Sequence, residues 1–348
     1  MTDTVQQRLG IRLLNSARAS RYFMPNLLLV GGIALCAFLI WRSGPELIAS
    51  LLLQIGWIGF PVVIVPHALV IVFEAFGWWF AFPRNGCPIK PMKIACFVVA
   101  AKAIQLMTPS ISQAGELLKI QLLRLTGVMS EISVASVIAS KTTITLAELL
   151  FLSLGSAVIL THVTVEPALV TSATAGILMM CIAVAAIVTW QRMGIFRPFV
   201  WLSRRWGMLK AFCDRHEKFM VDTDALLRGH LTNTSGFWLS GFGYFLAWLS
   251  GVLEAWVFLS LLAVPNDLLS ALLVQVWLMF VTRVTAFVPG NVGTHEAGIV
   301  IIFSFLGLGA DSAMAFALLR RMRQIVWLAL GLGLLAKMSR GQKVPLLG

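Results

Sequence analysis

The chain is poor in charge. Only 12% of its 348 residues are Asp, Glu, Lys or Arg, while 59% are hydrophobic. A soluble domain typically carries roughly 25% charged and 45–50% apolar residues, so that class is excluded. Tyrosine is nearly absent, at two residues, and there are only five histidines and five cysteines. Cys36, Cys87, Cys96, Cys181 and Cys213 form no CxxC pair. They read as buried small apolar residues, without a disulfide framework or a thiolate metal site. "HEAGI" at His295 lacks the second histidine of a zinc-protease helix. The chain also has no phosphate-binding glycine loop, nucleophile elbow or dinucleotide fingerprint. Accordingly no cofactor, no metal and no ATP-driven chemistry are expected.

Long apolar runs are what the chain has instead. Several reach the ~20 residues that carry a helix across a bilayer, and none shows the short alternation of a membrane barrel. The expected fold class is all-α: a polytopic integral membrane protein. The formal net charge of +12 comes without a zinc-finger spacing or an RNA-binding aromatic motif. It therefore marks cytoplasmic loops and not a nucleic-acid surface.

Those loops set the expected topology. Arg8, Arg12, Arg18 and Arg21 precede the apolar run 25–41, and no small-residue cleavage site follows. The run reads as a retained helix with a cytoplasmic N-terminus. A short surface segment follows at 46–54, then helices at 57–82, 131–161, 167–190, 236–264 and 311–337. Two half-length pairs interrupt the series, 93–107 with 112–124 and 268–288 with 294–308. The expectation is about six full crossings and two broken, re-entrant hairpins. By region, 1–24 is a cytoplasmic segment and 25–190 a first transmembrane half with hairpin 93–124. A basic interfacial connection spans 191–228. A second half, 229–338, holds hairpin 268–308, and 339–348 is a cytoplasmic tail. Within the connection, "RPFVWLSRRWGMLKAF" interleaves bases with aromatics. It reads as a topology anchor, with the gathering of anionic lipid as the alternative.

The hairpins align when the chain is shifted by 180 positions. Pro109 meets Pro289, Glu116 meets Glu296, Gly127 meets Gly307 and Ala135 meets Ala315; Lys141 meets Arg321. The first copy is entered from the cytoplasm and the second from outside, so the repeat is inverted. Interrupted helices in inverted repeats mark many secondary transporters.

Charges stand inside the apolar runs: Lys102, Glu116, Lys141, Glu148, Glu254, Arg283, Glu296, Arg320, Arg321 and Arg323. Each is costly at mid-membrane unless paired or hydrated. Arg321 lies ten residues past Asp311, or about 15 Å into the membrane. The functional reading is a polar cavity for a charged head group, with arginines suited to phosphate. The alternative is a set of ion pairs that only fix helix packing. His67 and Glu74 read as packing contacts.

"AFVPGNVGTHEAGIVIIFSFLGL" and "TPSISQAGELLKIQLLRLTGV" resemble the paired elements of the flippase-like membrane domain of lysylphosphatidylglycerol synthases. "AWLSGVLEAWVFLSLL" and "LLRRMRQ" look closer to its hopanoid-biosynthesis-associated branch. The similarity runs from about residue 25 to 338. It implies a bacterial inner-membrane protein that handles lipids. Gly115, Glu116, Pro289, Gly290, Gly293, Glu296 and Arg320 match the family's motif positions. The first element, "SISQAG", departs from the Pro-Gly start of the second. The soluble aminoacyl-transfer domain of the synthases is expected to be absent, so synthesis of an aminoacylated lipid is not expected. Three functions stay open: a lipid translocator, an intramembrane lipid-modifying enzyme, and a non-transporting partner of lipid-biosynthesis enzymes. Membrane lipids are the expected partners, with those enzymes and a second copy of the chain as further ones.

Overall fold

The computed structural model describes residues 41, 45–83, 87–107, 114–162, 167–198, 200–201, 210–264, 267–285 and 293–341. Among these the protein is all-α, as its composition requires. Ten helices of twelve residues or more follow one another. They are α1 (Pro45–Phe80), α2 (Pro91–Met107), α3 (Ala114–Leu125), α4 (Ser130–His162) and α5 (Pro167–Met193). Then come α6 (Lys210–Thr232), α7 (Thr234–Leu261), α8 (Leu268–Val284), α9 (Thr294–Phe305) and α10 (Ala310–Gly341). The chain is a multi-pass membrane protein.

Among the described residues, four stretches are both long and apolar enough to cross a membrane: Gly59–Phe80, Ser130–His162, Thr174–Met193 and Thr234–Leu261. α10 has the length, at 32 residues, but its arginines lower its hydropathy. The expected helix at 25–41 lies almost wholly outside the described residues. α1 breaks at Gly56, whose φ of 67° only glycine adopts easily. That break separates the expected 46–54 segment from the spanning helix. Outward-facing apolar side chains recur along α7 at Trp238, Phe242, Leu249, Leu253 and Trp256. This is one helical face, and in lipid it carries no penalty.

α2 and α8 have 17 residues each, and α3 and α9 have 12. At 1.5 Å per residue these lengths are about 25 Å and 18 Å, short of a ~30 Å hydrocarbon core. α3 packs on α2, and α9 on α8. The breaks themselves, with Pro109, Pro289 and Gly290, lie outside the described residues. α9 ends at Phe305 where the apolar pattern suggested 308, because Gly307 turns the chain with a φ of 69°. Gly127 does the same after α3, with a φ of 86°. Both turns close with the same pair of hydrogen bonds. Val128 N donates to Leu123 O (3.2 Å) and Gly127 N to Arg124 O (3.0 Å). Leu308 N donates to Phe303 O (2.8 Å) and Gly307 N to Ser304 O (3.2 Å). This pattern satisfies the last helical carbonyls without leaving the apolar phase.

Each set of four helices has its own core. Trp78, Ile94, Phe97, Leu122 and Leu123 unite α1 to α3 with residues of α4. Phe258, Leu278, Phe303 and Phe316 unite α7 to α10. The sets join along α1 and α7, where backbone meets backbone. A Cβ on Gly243 would stand 2.8 Å from the Gly77 nitrogen. Ser240 Oγ donates to the Gly77 carbonyl at 2.7 Å. Small residues at a crossing are how membrane helices approach closely.

α6 lies in the expected basic connection and ends at Thr232. Its buried face, including Cys213, Met220, Leu227 and His230, packs on α4 and α5. Asp224 accepts from the backbone N–H of Ile195 (2.9 Å) and of Phe196 (3.4 Å), just past α5. Cys181 corrects the reading of the cysteines as buried. It is exposed, because α5 packs on α4 and α6 along one side only.

Candidate functional site

The intramembrane charges gather into four groups. Three bases on α10 dominate the largest one. Arg320, Arg321 and Arg323 occupy nearly a full helical turn, so they fan out to different neighbours. Arg321 is buried and grips Glu296 of α9, with Nε donating at 2.7 Å and Nη2 at 2.6 Å from the same oxygen. Its Nη1 donates to Gln324 at 2.7 Å. The other Glu296 oxygen accepts from Gly293 N at 2.7 Å, which caps α9. Gly293 has a φ of 85°, and that conformation turns its N–H to the carboxylate. One acid therefore closes a helix start and anchors an arginine.

Arg320 differs. Its Nη2 donates to Gln275 at 3.1 Å, its Nη1 approaches His295 Nε2 at 3.5 Å, and its guanidinium lies over Phe316 at 5.6 Å. Among the described residues it has no carboxylate partner. Arg323 pairs with Glu254 of α7. Glu254 is 1% exposed and also accepts from His67 Nδ1 of α1 at 2.9 Å.

Two cavities open beside these groups. One, of about 170 Å³, is lined by Thr282, His295, Glu296 and all three arginines. The other, of about 160 Å³, is lined by His67, Lys102, Trp327 and the apolar sides of α2 and α10. Arg323 and Gln324 line both. The arginine cavity holds more positive than negative charge in an apolar surround, which favours an anion that can accept from several N–H groups. Among the described residues no three of His, Cys, Asp and Glu converge as metal ligands do.

The remaining bases are placed elsewhere. Lys102 lines the second cavity but is paired with Glu74 at 2.7 Å. Glu116 sits between Lys119 (3.0 Å) and Lys141 (3.3 Å). Lys119 also lies over Trp78 at 5.1 Å. Gly115 is buried against α2, where a Cβ would fall 2.6 Å from the Ala101 carbonyl oxygen. Neither Lys141 nor Arg283 lines either cavity. Arg283 pairs with Glu148 and is more than half exposed. Of the residues singled out in the sequence, Lys102, Glu296, Arg320, Arg321 and Arg323 thus meet at the cavities. Glu116 and Lys141 form a separate pair, and Arg283 stands apart.

Sequence reasoning passed over His67, Thr282, His295 and Gln324 as cavity residues. His67 and Glu74 do bridge helices, as packing contacts would, yet each also holds a charged partner. Their signal was present: a polar residue in a fully apolar run needs a partner somewhere.

No curated protein and no solved structure matches the chain. The lysylphosphatidylglycerol synthase TM region matches residues 28–333, most of its length, and the chain belongs to that family.

Proposed function

We propose that the protein translocates a lipid with an anionic head group between the leaflets, holding that head group in the arginine cavity. Arg320 carries the reading. It is a guanidinium at membrane depth that has no carboxylate partner among the described residues, and it faces a cavity of about 170 Å³. Such a charge calls for an anion. A hopanoid-type neutral lipid offers it nothing, so the anionic class is favoured. Membership of a lipid-handling membrane family supports a lipid as the source of that anion.

The matched helix sets support the transport half of the reading. The α3 and α9 helices start 180 positions apart, have equal length and end in the same glycine turn. α2 packs on α10 while α8 packs on α4, and α4 packs on α7 while α10 packs on α1. Such reciprocal contacts are the ones expected of two copies related by a pseudo-two-fold axis. In an inverted repeat, exchange of the two packings opens the site to either side. In this reading the basic loops lie on the cytoplasmic side of a bacterial inner membrane with both termini, and the chain makes no new covalent bond. Membrane lipids are its partners; enzymes that make the lipid, or a second copy of the chain, can dock beside it.

The test is translocation of fluorescent phosphatidylglycerol by the purified protein in proteoliposomes. Arg321→Ala and Glu296→Gln should each lower the rate about tenfold or more, because each breaks the charge pair at the cavity wall. Unchanged rates in both folded variants would sink the reading. Inorganic phosphate at millimolar concentration should compete only weakly, since the acyl chains contribute most of the apolar binding.

A further inference from the structure

Beside the two cavities a buried acid holds two groups at once, one on each carboxylate oxygen. Glu254 comes from α7, His67 from α1 and Arg323 from α10. The acid is inaccessible, at 1% exposure. Arg323 faces both cavities, so the same guanidinium that neutralises Glu254 is within reach of an anion in either one. It cannot satisfy both fully. If Arg323 turns to an arriving head group, Glu254 is left as a buried carboxylate without a cation, a costly state.

A proton solves that problem. Placed on the His67–Glu254 pair, it restores the charge that Arg323 withdraws. The count then closes: one anion enters, one proton enters, and the buried region keeps its net charge. The imidazole Nδ1 already lies 2.9 Å from the carboxylate, where a proton can be shared. Its setting comprises Glu254 from α7, Arg323 and Arg320 from α10, and Lys102 from α2. Lys102 is itself tied to Glu74 of α1. The His67 ring also stands edge-on to Trp327, with centroids 5.5 Å apart, which holds it at the cavity wall.

We propose that the His67–Glu254 pair is a proton-binding site that releases Arg323 to an anionic lipid head group, so that lipid and proton move together. The proposal rests on the translocator reading above. No covalent chemistry is involved; the proton comes from water on one side and returns to water on the other. Arg323 is the residue that hands the head group from one cavity to the next, since it alone among the cavity bases lines both.

The experiment uses full-length protein in phosphatidylglycerol-containing proteoliposomes with fluorescent phosphatidylglycerol as the probe. An internal pH dye reports protons. An imposed gradient, acid outside, should speed inward lipid movement about fivefold or more over equal pH, and lipid movement should acidify the lumen. His67→Gln keeps the hydrogen bond to Glu254 but cannot titrate. It should move lipid more slowly than the wild type at equal pH, at a rate that the gradient no longer changes. Glu254→Gln should do the same where it folds; where it does not, His67→Gln decides. Equal wild-type rates with and without the gradient, alongside measurable lipid movement, overturn the coupling and leave the translocator reading intact. A purely structural tie would make His67→Gln slower while its gradient response persisted, and that too overturns the proposal. No lipid movement by the wild type under any condition overturns the translocator reading itself, and the coupling with it.

Discussion

The two four-helix sets share a scaffold and differ in what fills it. In both, an acid at the start of a twelve-residue helix pairs with a base 25 positions on: Glu116 with Lys141, Glu296 with Arg321. Around that shared pair the chemistry diverges. Arg320 and Arg323 of α10 correspond, 180 positions earlier, to Ser140 and Thr143 of α4. Ser140 meets the Tyr244 hydroxyl, and Thr143 meets Ser240 at 2.8 Å, so α4 lies close against α7. A hydroxyl stripe lets helices approach; an arginine stripe holds them apart and leaves space. At these positions the first set is thus sealed against α7, and the second is open around charge.

That contrast can be broken at one position. Thr143 is 1% exposed, and Thr143→Arg would place an unpaired charge in the sealed half. The expected cost is about 3–5 kcal/mol, enough to abolish a monodisperse protein in detergent. A well-folded Thr143→Arg would mean the first half has hidden room.

The seam between the halves should be nearly as sensitive. Gly243→Val puts a side chain where Gly77 backbone already lies, and should cost about 1–3 kcal/mol by forcing α1 and α7 apart. Thermal denaturation in detergent measures it; Gly241→Val, with nothing near its Cβ, is the control.

A third test asks whether the sealed half depends on α6. Burial pushes the His230 imidazole down to about 4, from about 6.5 in an unfolded chain. The neutral form is therefore favoured by folding. Its contribution is complete above pH 6.5 and is lost as pH falls toward 4, by about 2 kcal/mol at pH 5. Hydrogen exchange should show α4 and α6 loosening in acid before α10 does, and His230→Leu should remove the difference.

The smallest effect sharpens the likeness between the halves. Gly127→Ala and Gly307→Ala each force a side chain into positive φ with open space around it. Each should destabilise by about 1 kcal/mol, and by similar amounts. Clearly unequal costs would show that the two turns bear different loads.

Much of the framework was legible from residues alone. Apolar runs located α2, α4, α5, α7 and α10 to within a few residues of their observed ends, because a helix in lipid must satisfy its own backbone. The 180-position shift paired Gly127 with Gly307, and the structure puts both at turns, since positive φ leaves few residues to choose from. The site was only partly legible. Arg321 and Glu296 were singled out together, but Arg283 was grouped with them and proves to belong to Glu148. His67 was set aside as a packing contact, although its partner lies 187 positions away.

The sequence by itself determined that this is an all-α membrane protein, where its helices run, and which positions carry charge into the apolar phase. Those follow from composition, helical rise and the cost of an unpaired backbone in lipid. Only the tertiary structure decided which acid answers which base. Side chains on one helix turn point in different directions, and the neighbour each meets depends on how whole helices rotate and pack. Arg320, Arg321 and Arg323 are nearly consecutive, yet they reach α8, α9 and α7 respectively. Among the described residues, that divergence leaves one guanidinium without a counter-charge beside a cavity, and sets another against two.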